Sequence, residues 1–354
     1  MIASVNRCGL GCSMTKRIHV IDALRTFCNL LIVFVHVSAI KLVSEANSLD
    51  TPTVKFICNK VAWSAMPVLF IVSGYLLMRN YSFPVWKNKL KKRMNALIVP
   101  YLAWNLLYVM LLSALSMIEN GGLLWPIWKA LLKVFGIATQ PADTPLWYIR
   151  SLLVWLLLVP ILQWFMKTRW REACLMTICA MVVWVSSSVG EQLRLIFPIY
   201  SILAFLWGGG LALKNVNFDT HLRKWKYLYV LLGLIGYVPC PKCFTEVFIF
   251  MRGFLLLGLF AMVLDNVVSR LMETQFYTHI VQSAFFVYAS HRIICWRLEN
   301  LWRFLLGEPN ILNYRWTGVL LTFVDAFSVI LCSIILYKIL NKLLPSAGRM
   351  LSRH

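Results

Sequence analysis

Charge is scarce in this sequence. Asp, Glu, Lys and Arg make up 14% of its 354 residues, and only 14 of those are acidic against 35 basic. So low a charge content excludes an ordinary soluble protein. The short segments of alternating polar and apolar residues that build a membrane β-barrel are missing as well. GxSxG, HExxH, P-loop and dinucleotide-binding fingerprints are all lacking, which removes the commonest soluble-enzyme chemistries. No internal repeat of the transporter kind stands out, and no appended soluble domain is expected. The first sixteen residues are polar, without the apolar segment and small-residue cleavage site of a signal peptide. Met14 is an equally good start, which would make residues 1–13 an extension.

What is abundant is apolar surface. Hydrophobic residues make up 60% of the chain, with 15 Trp and a mean hydropathy of +0.72. Apolar runs near twenty residues recur from end to end, so the fold is expected to be all-α, a polytopic integral membrane protein. About ten transmembrane helices are predicted, at 21–43, 56–78, 97–118, 145–165, 173–189, 195–213, 227–239, 245–268, 277–295 and 317–340. They would form one transmembrane domain over 17–345, between an N-terminal extension (1–16) and a tail (346–354). Lys and Arg number 20 in one set of alternate loops and eight in the other, with seven more inside spans. Basic residues collect in cytoplasmic loops, so both termini are expected in the cytoplasm and the chain in the cytoplasmic (inner) membrane. The same rule accounts for the net charge of +21 without a nucleic-acid partner. The ten Cys are scattered through apolar runs, as small buried residues are. Cys240 and Cys243 form a CxxC in a short loop. With no second pair or His cluster beside it, no metal is expected.

The first span carries four polar residues, Asp22, Arg25, Asn29 and His36. At about 100° per residue they fall near 0, 300, 340 and 320°, a stripe roughly 60° wide. Arg25 and His36 lie eleven residues apart, or roughly 16 Å along the axis. Ionisable groups in a membrane helix normally face a protein interior or a wet cavity, so this helix is expected to line a site. Arg150, Arg252, His291 and Arg292 converge toward the level of His36 with no carboxylate expected beside them, which suits a polar or anionic ligand. Snorkelling to headgroups is the plainer account of Arg150 and Arg252. Ser73 and Gly74 suit close helix contact or a ligand. The segment from Lys87 to Arg93 holds five cations and would attract phosphates, and the loop 119–144 reads as containing an interfacial amphipathic helix.

Four blocks, in this order, resemble the acyltransferase 3 family of integral-membrane O-acyltransferases. They are Asp22-Ala-Leu-Arg25 with His36, Phe70-Ile-Val-Ser73-Gly74-Tyr75-Leu76, Leu146-Trp147-Tyr148, and Phe286-Val-Tyr288-Ala-Ser-His291. The family often carries Arg-x-x-Arg before the Pro-Tyr opening the third span. Here Arg93 is followed by Ala96, and Lys89, Lys91 and Lys92 lack the bidentate geometry of Arg. The resemblance implies acyl transfer from cytoplasmic acyl-CoA, commonly acetyl-CoA, to a hydroxyl of a surface glycan such as an exopolysaccharide, or of a lipid-linked sugar. His36 and His291 are the catalytic candidates. Arg25, Lys92, Arg93, Ser73 and Gly74 are assigned to the donor, and Asp22, Tyr75, Trp147, Tyr148, Arg150 and Tyr288 to the acceptor. A covalent acyl-His or acyl-Tyr intermediate is left open by the same residues. The rival reading is a transporter or flippase of a polar or anionic substrate, since polar groups also line transport paths. A scaffold in glycan assembly would leave His36 without a role.

Overall fold

The computed structural model describes residues 9–80, 82–137, 139–189, 198–241, 244–306 and 314–352. Cys243, residues 1–8 of the N-terminal extension and the start of the sixth expected span lie outside them. Among the described residues every regular element is a helix, and helix occupies each of the ten expected spans. The first span consists of α1 (Gly9–His36) and α2 (Ala39–Glu45). The second runs through α3 (Thr51–Phe56), a π-helical turn at Ile57–Val61, a 3₁₀ turn and α4 (Ala65–Met78). Then come α5 (Phe83–Asn120), α6 (Ile127–Phe135), α7 (Trp147–Phe165), α8 (Arg169–Val189) and α9 (Ile199–Leu213). The remainder is α10 (Phe218–Lys224), α11 (Lys226–Ile235), α12 (Thr245–Val263), α13 (Ser269–Met272), α14 (Gln275–Leu306), α15 (Thr317–Leu343) and α16 (Pro345–Ser352).

Six of the described helices are long and apolar enough to cross a membrane, and a seventh counts if α9 and α10, bent by 109°, form one span. The count of ten is therefore approximate. α11 has ten residues and is too short by that measure, while α14 carries His279, His291, Arg292, Arg297, Glu299 and Arg303 along its length.

The core is built around α4, where Ala65 to Tyr75 are all buried. Glycine allows its closest approach. A Cβ on Gly74 would collide with the backbone carbonyl of Phe205, and one on Gly208 with that of Ile71. α4 and α9 thus pack backbone against backbone, as small residues permit between membrane helices. A second cluster surrounds the far half of α1 and α2, with Val37, Ala39, Val43, Cys58, Cys295 and Val329 buried together. In the 119–144 loop α6 exposes Ile127, Trp128, Leu131 and Phe135, the amphipathic helix expected there.

Candidate active site

The polar stripe of the first span survives folding. α1 is continuous from Arg25 to His36, so its helical register holds. Asp22, Arg25, Asn29 and His36 are half-buried while Leu24, Cys28, Ile32 and Val33 beside them are buried. His36 is the last residue of α1. Its imidazole borders a cavity of about 600 Å³ whose walls include Trp63, Trp147, Tyr200, Glu246 and Arg252. Asn59 and Lys60, from the π-helical turn, complete one rim. Such turns recur at functional sites because the extra residue redirects side chains.

Behind His36 stands His291, fully buried on α14, with its ring centroid 5.1 Å away. Nδ1 of His291 lies 2.7 Å from the Tyr288 carbonyl. A neutral ring must donate there, which leaves the lone pair on Nε2, and that atom has no hydrogen-bond partner. The Tyr288 hydroxyl donates to the carbonyl of Pro145, at the start of the fourth-span phrase. Tyr148 packs 6.2 Å from Tyr288 and 4.9 Å from Phe70, and its hydroxyl lies 2.8 Å from Oγ of Ser73. The four sequence blocks therefore meet in one wall.

Arg25 and Arg93 are both half-buried, and Arg93 lies close enough to Arg25 and to Tyr148 to feel both electrostatically. Lys92, one residue earlier, is exposed.

Other expected residues do different work. Gly74 is consumed in helix packing. The Tyr75 hydroxyl donates to Val216 O at 3.0 Å and accepts from Phe218 N at 3.3 Å, tying α4 to the α9–α10 bend. Asp22 lies near Tyr277 and does not border the cavity. Arg150 is buried, and its Nη1 donates to Gly136 O at 3.0 Å and Thr139 O at 2.8 Å, so it braces the loop after α6. Arg252 is buried too. Its Nε donates to Gly236 O at 2.7 Å and its guanidinium lies 5.5 Å from the Tyr237 ring. Neither arginine snorkels. Cys240 is a free thiol.

The expectation that no carboxylate accompanies these cations has to be corrected. Glu246 is buried, borders the cavity and accepts from Tyr200 N at 3.1 Å. Asp143 and Asp325 are fully buried at the same end of the bundle. An acid inside an apolar run is expensive unless it is held in place, and that signal was present in the sequence for Glu246 and Asp325. Among the described residues no three His, Cys, Asp or Glu side chains gather as a metal site would require.

No curated protein and no solved structure matches the chain. A family model described as "Acyltransferase domain", that of acyltransferase 3, matches residues 18–338. With that match spanning all four converging blocks, the chain belongs to the acyltransferase 3 family of membrane acyltransferases.

Proposed function

We propose that this membrane acyltransferase moves an acyl group, acetyl in the first instance, from cytoplasmic acyl-CoA to a hydroxyl of a surface glycan or lipid-linked sugar. The observation that carries the reading is that His36 opens onto a cavity while Arg25 and Arg93 lie together toward the other end of the same helix. Acyl-CoA is anionic at one end and carries its thioester at the tip of a long arm. Arg25 and Arg93 suit its phosphates, since guanidinium groups bind phosphate through paired hydrogen bonds. Their place near the cytoplasmic face follows from the Lys and Arg bias of the loops.

A sugar hydroxyl ionises only at high pH, so attack at neutral pH needs a base. His36 takes the hydroxyl proton as the oxygen attacks the thioester carbonyl. The carbon–sulfur bond breaks, the electron pair leaves on sulfur, and the proton held by His36 returns to give free CoA thiol. General-base assistance of this kind is worth roughly 10²–10⁴-fold. The cavity suits a sugar: Trp63, Trp147 and Tyr200 offer faces to its C–H surfaces, and Glu246 and Arg252 offer acceptor and donor to its hydroxyls.

Mass spectrometry of surface glycans from cells with and without the gene tests the reading. The expected result is an intact glycan that lacks acyl groups when the gene is absent. Identical acylation in both would contradict it, and loss of the whole glycan from the surface would favour the flippase.

A further inference from the structure

The first span does not run straight past its histidine. α1 ends at His36 and helix resumes at Ala39. The helical hydrogen bonding is interrupted at Val37 and Ser38, although Ser38 keeps right-handed helical dihedrals (φ −66°, ψ −25°). A restarting helix exposes backbone N–H groups with no partner of their own. Ser38 stands at the capping position of α2, yet its side chain makes no cap there. Its hydroxyl instead donates across the bundle to Oδ2 of Asp325 on α15, at 2.8 Å. The same oxygen accepts the Ala39 N–H at 3.0 Å. The other, Oδ1, accepts the indole N–H of Trp302 on α14 at 2.8 Å. Asp325 is fully buried.

A buried carboxylate in an apolar helix destabilises a protein unless donors surround it. Here the donors come from the two elements that carry the imidazoles. Ser38 and Ala39 are two and three residues beyond His36, and Trp302 lies on the same helix as His291.

We propose that Asp325 is the positioning residue of His36, fixing where the first span breaks and so the direction in which the imidazole meets the cavity and His291. Asp325 touches neither imidazole through any of these bonds; it acts through the backbone at Ser38 and Ala39. A continuous helix through residue 38 would carry His36 on with the regular turn of α1. This role rests on the reading of His36 as the base, and the test separates the two.

The test is the rate at which diethyl pyrocarbonate modifies His36 in the purified full-length protein, followed by peptide mass spectrometry, with exposed His279 as internal reference. Asp325→Asn should change the His36 rate by about fivefold or more and leave His279 unchanged. Adding Ser38→Ala to Asp325→Asn should change little more, because both act on one contact. Turnover of acetyl-CoA should fall by about 10²-fold, with KM for acetyl-CoA within about twofold, as for a misplaced reacting group. If Asp325→Asn does not fold, Ser38→Ala and Trp302→Phe, which each remove one donor, carry the test. Unchanged His36 reactivity in every folded variant would overturn the proposal, whatever the activity. Altered reactivity combined with full transfer by His36→Asn would leave Asp325 as the positioning residue and remove the base assignment instead.

Discussion

The imidazole rings of His36 and His291 lie 5.1 Å apart, centroid to centroid, with their planes inclined by 36°. One ring borders the cavity and the other is sealed behind it. That difference divides their roles. His36 has direct access to the cavity, and we assign His291, buried behind it, a supporting role.

His291→Ala should therefore lower kcat by roughly tenfold to a hundredfold while leaving KM for acyl-CoA nearly unchanged, as when a supporting residue is lost. Steady-state kinetics on the purified variant would check this. A large rise in KM with kcat intact would move His291 into donor binding.

Gly74 is expected to matter through packing. Its missing Cβ leaves room for the Phe205 carbonyl, so Gly74→Val should destabilise the protein by about 1–3 kcal/mol, the usual cost of overpacking. A lower thermal midpoint in detergent, with unaltered KM for acyl-CoA in the surviving protein, is the predicted pair of results. An unchanged midpoint with weakened donor use would restore a ligand role.

Arg25→Ala and Arg93→Ala should each raise KM for acyl-CoA more than they lower kcat. Arg93→Lys should be closer to Arg93→Ala than to wild type, because the planar fork is lost although the charge remains. Ala96→Arg supplies the second Arg of the family pattern and should lower that KM. Donor titrations with the four variants read this directly. An unchanged KM in Arg25→Ala would remove the phosphate clamp.

Asp143, in the loop before α7, provides a pH test. Burial pushes its carboxyl up from 3.8 to about 8, with Arg292 opposing the shift. Neither carboxyl oxygen has a hydrogen-bond partner. The folded protein thus holds a proton that the unfolded chain releases, and stability should fall as pH rises between those values. Asp143→Asn mimics the protonated acid and should remove that part of the fall. Thermal midpoints at pH 5 and pH 8.5 should converge in the variant relative to wild type. An equal pH dependence in both proteins would exclude the buried acid as the cause.

Much of this was legible from residue spacing. Arg25 and His36 lie on one uninterrupted helix, so a helical wheel placed them correctly, and the blocks around Ser73, Tyr148 and His291 did converge. The break after His36 was not legible. Residues 37–43 are apolar enough to continue a span, and what interrupts it is Asp325, nearly three hundred residues further on. Arg252 was placed correctly at the cavity level, but the loop carbonyls that hold Arg150 and Arg252, at Gly136, Thr139 and Gly236, were not legible, since no side-chain pattern announces them. Gly74 shows the opposite limit. Its sequence context fits both packing and ligand contact, and only the position of Phe205 decides.

The central claim is that His36 accepts the proton of the acceptor hydroxyl. The most direct measurement is acyl transfer by purified His36→Asn protein, with acetyl-CoA as donor and the gene-deleted cells' unacylated glycan as acceptor. Asn keeps a hydrogen-bonding side chain but cannot take up a proton near neutral pH. Turnover should drop by about 10²-fold or more, with the protein still folded and still binding acetyl-CoA. Near wild-type turnover in His36→Asn would contradict the account.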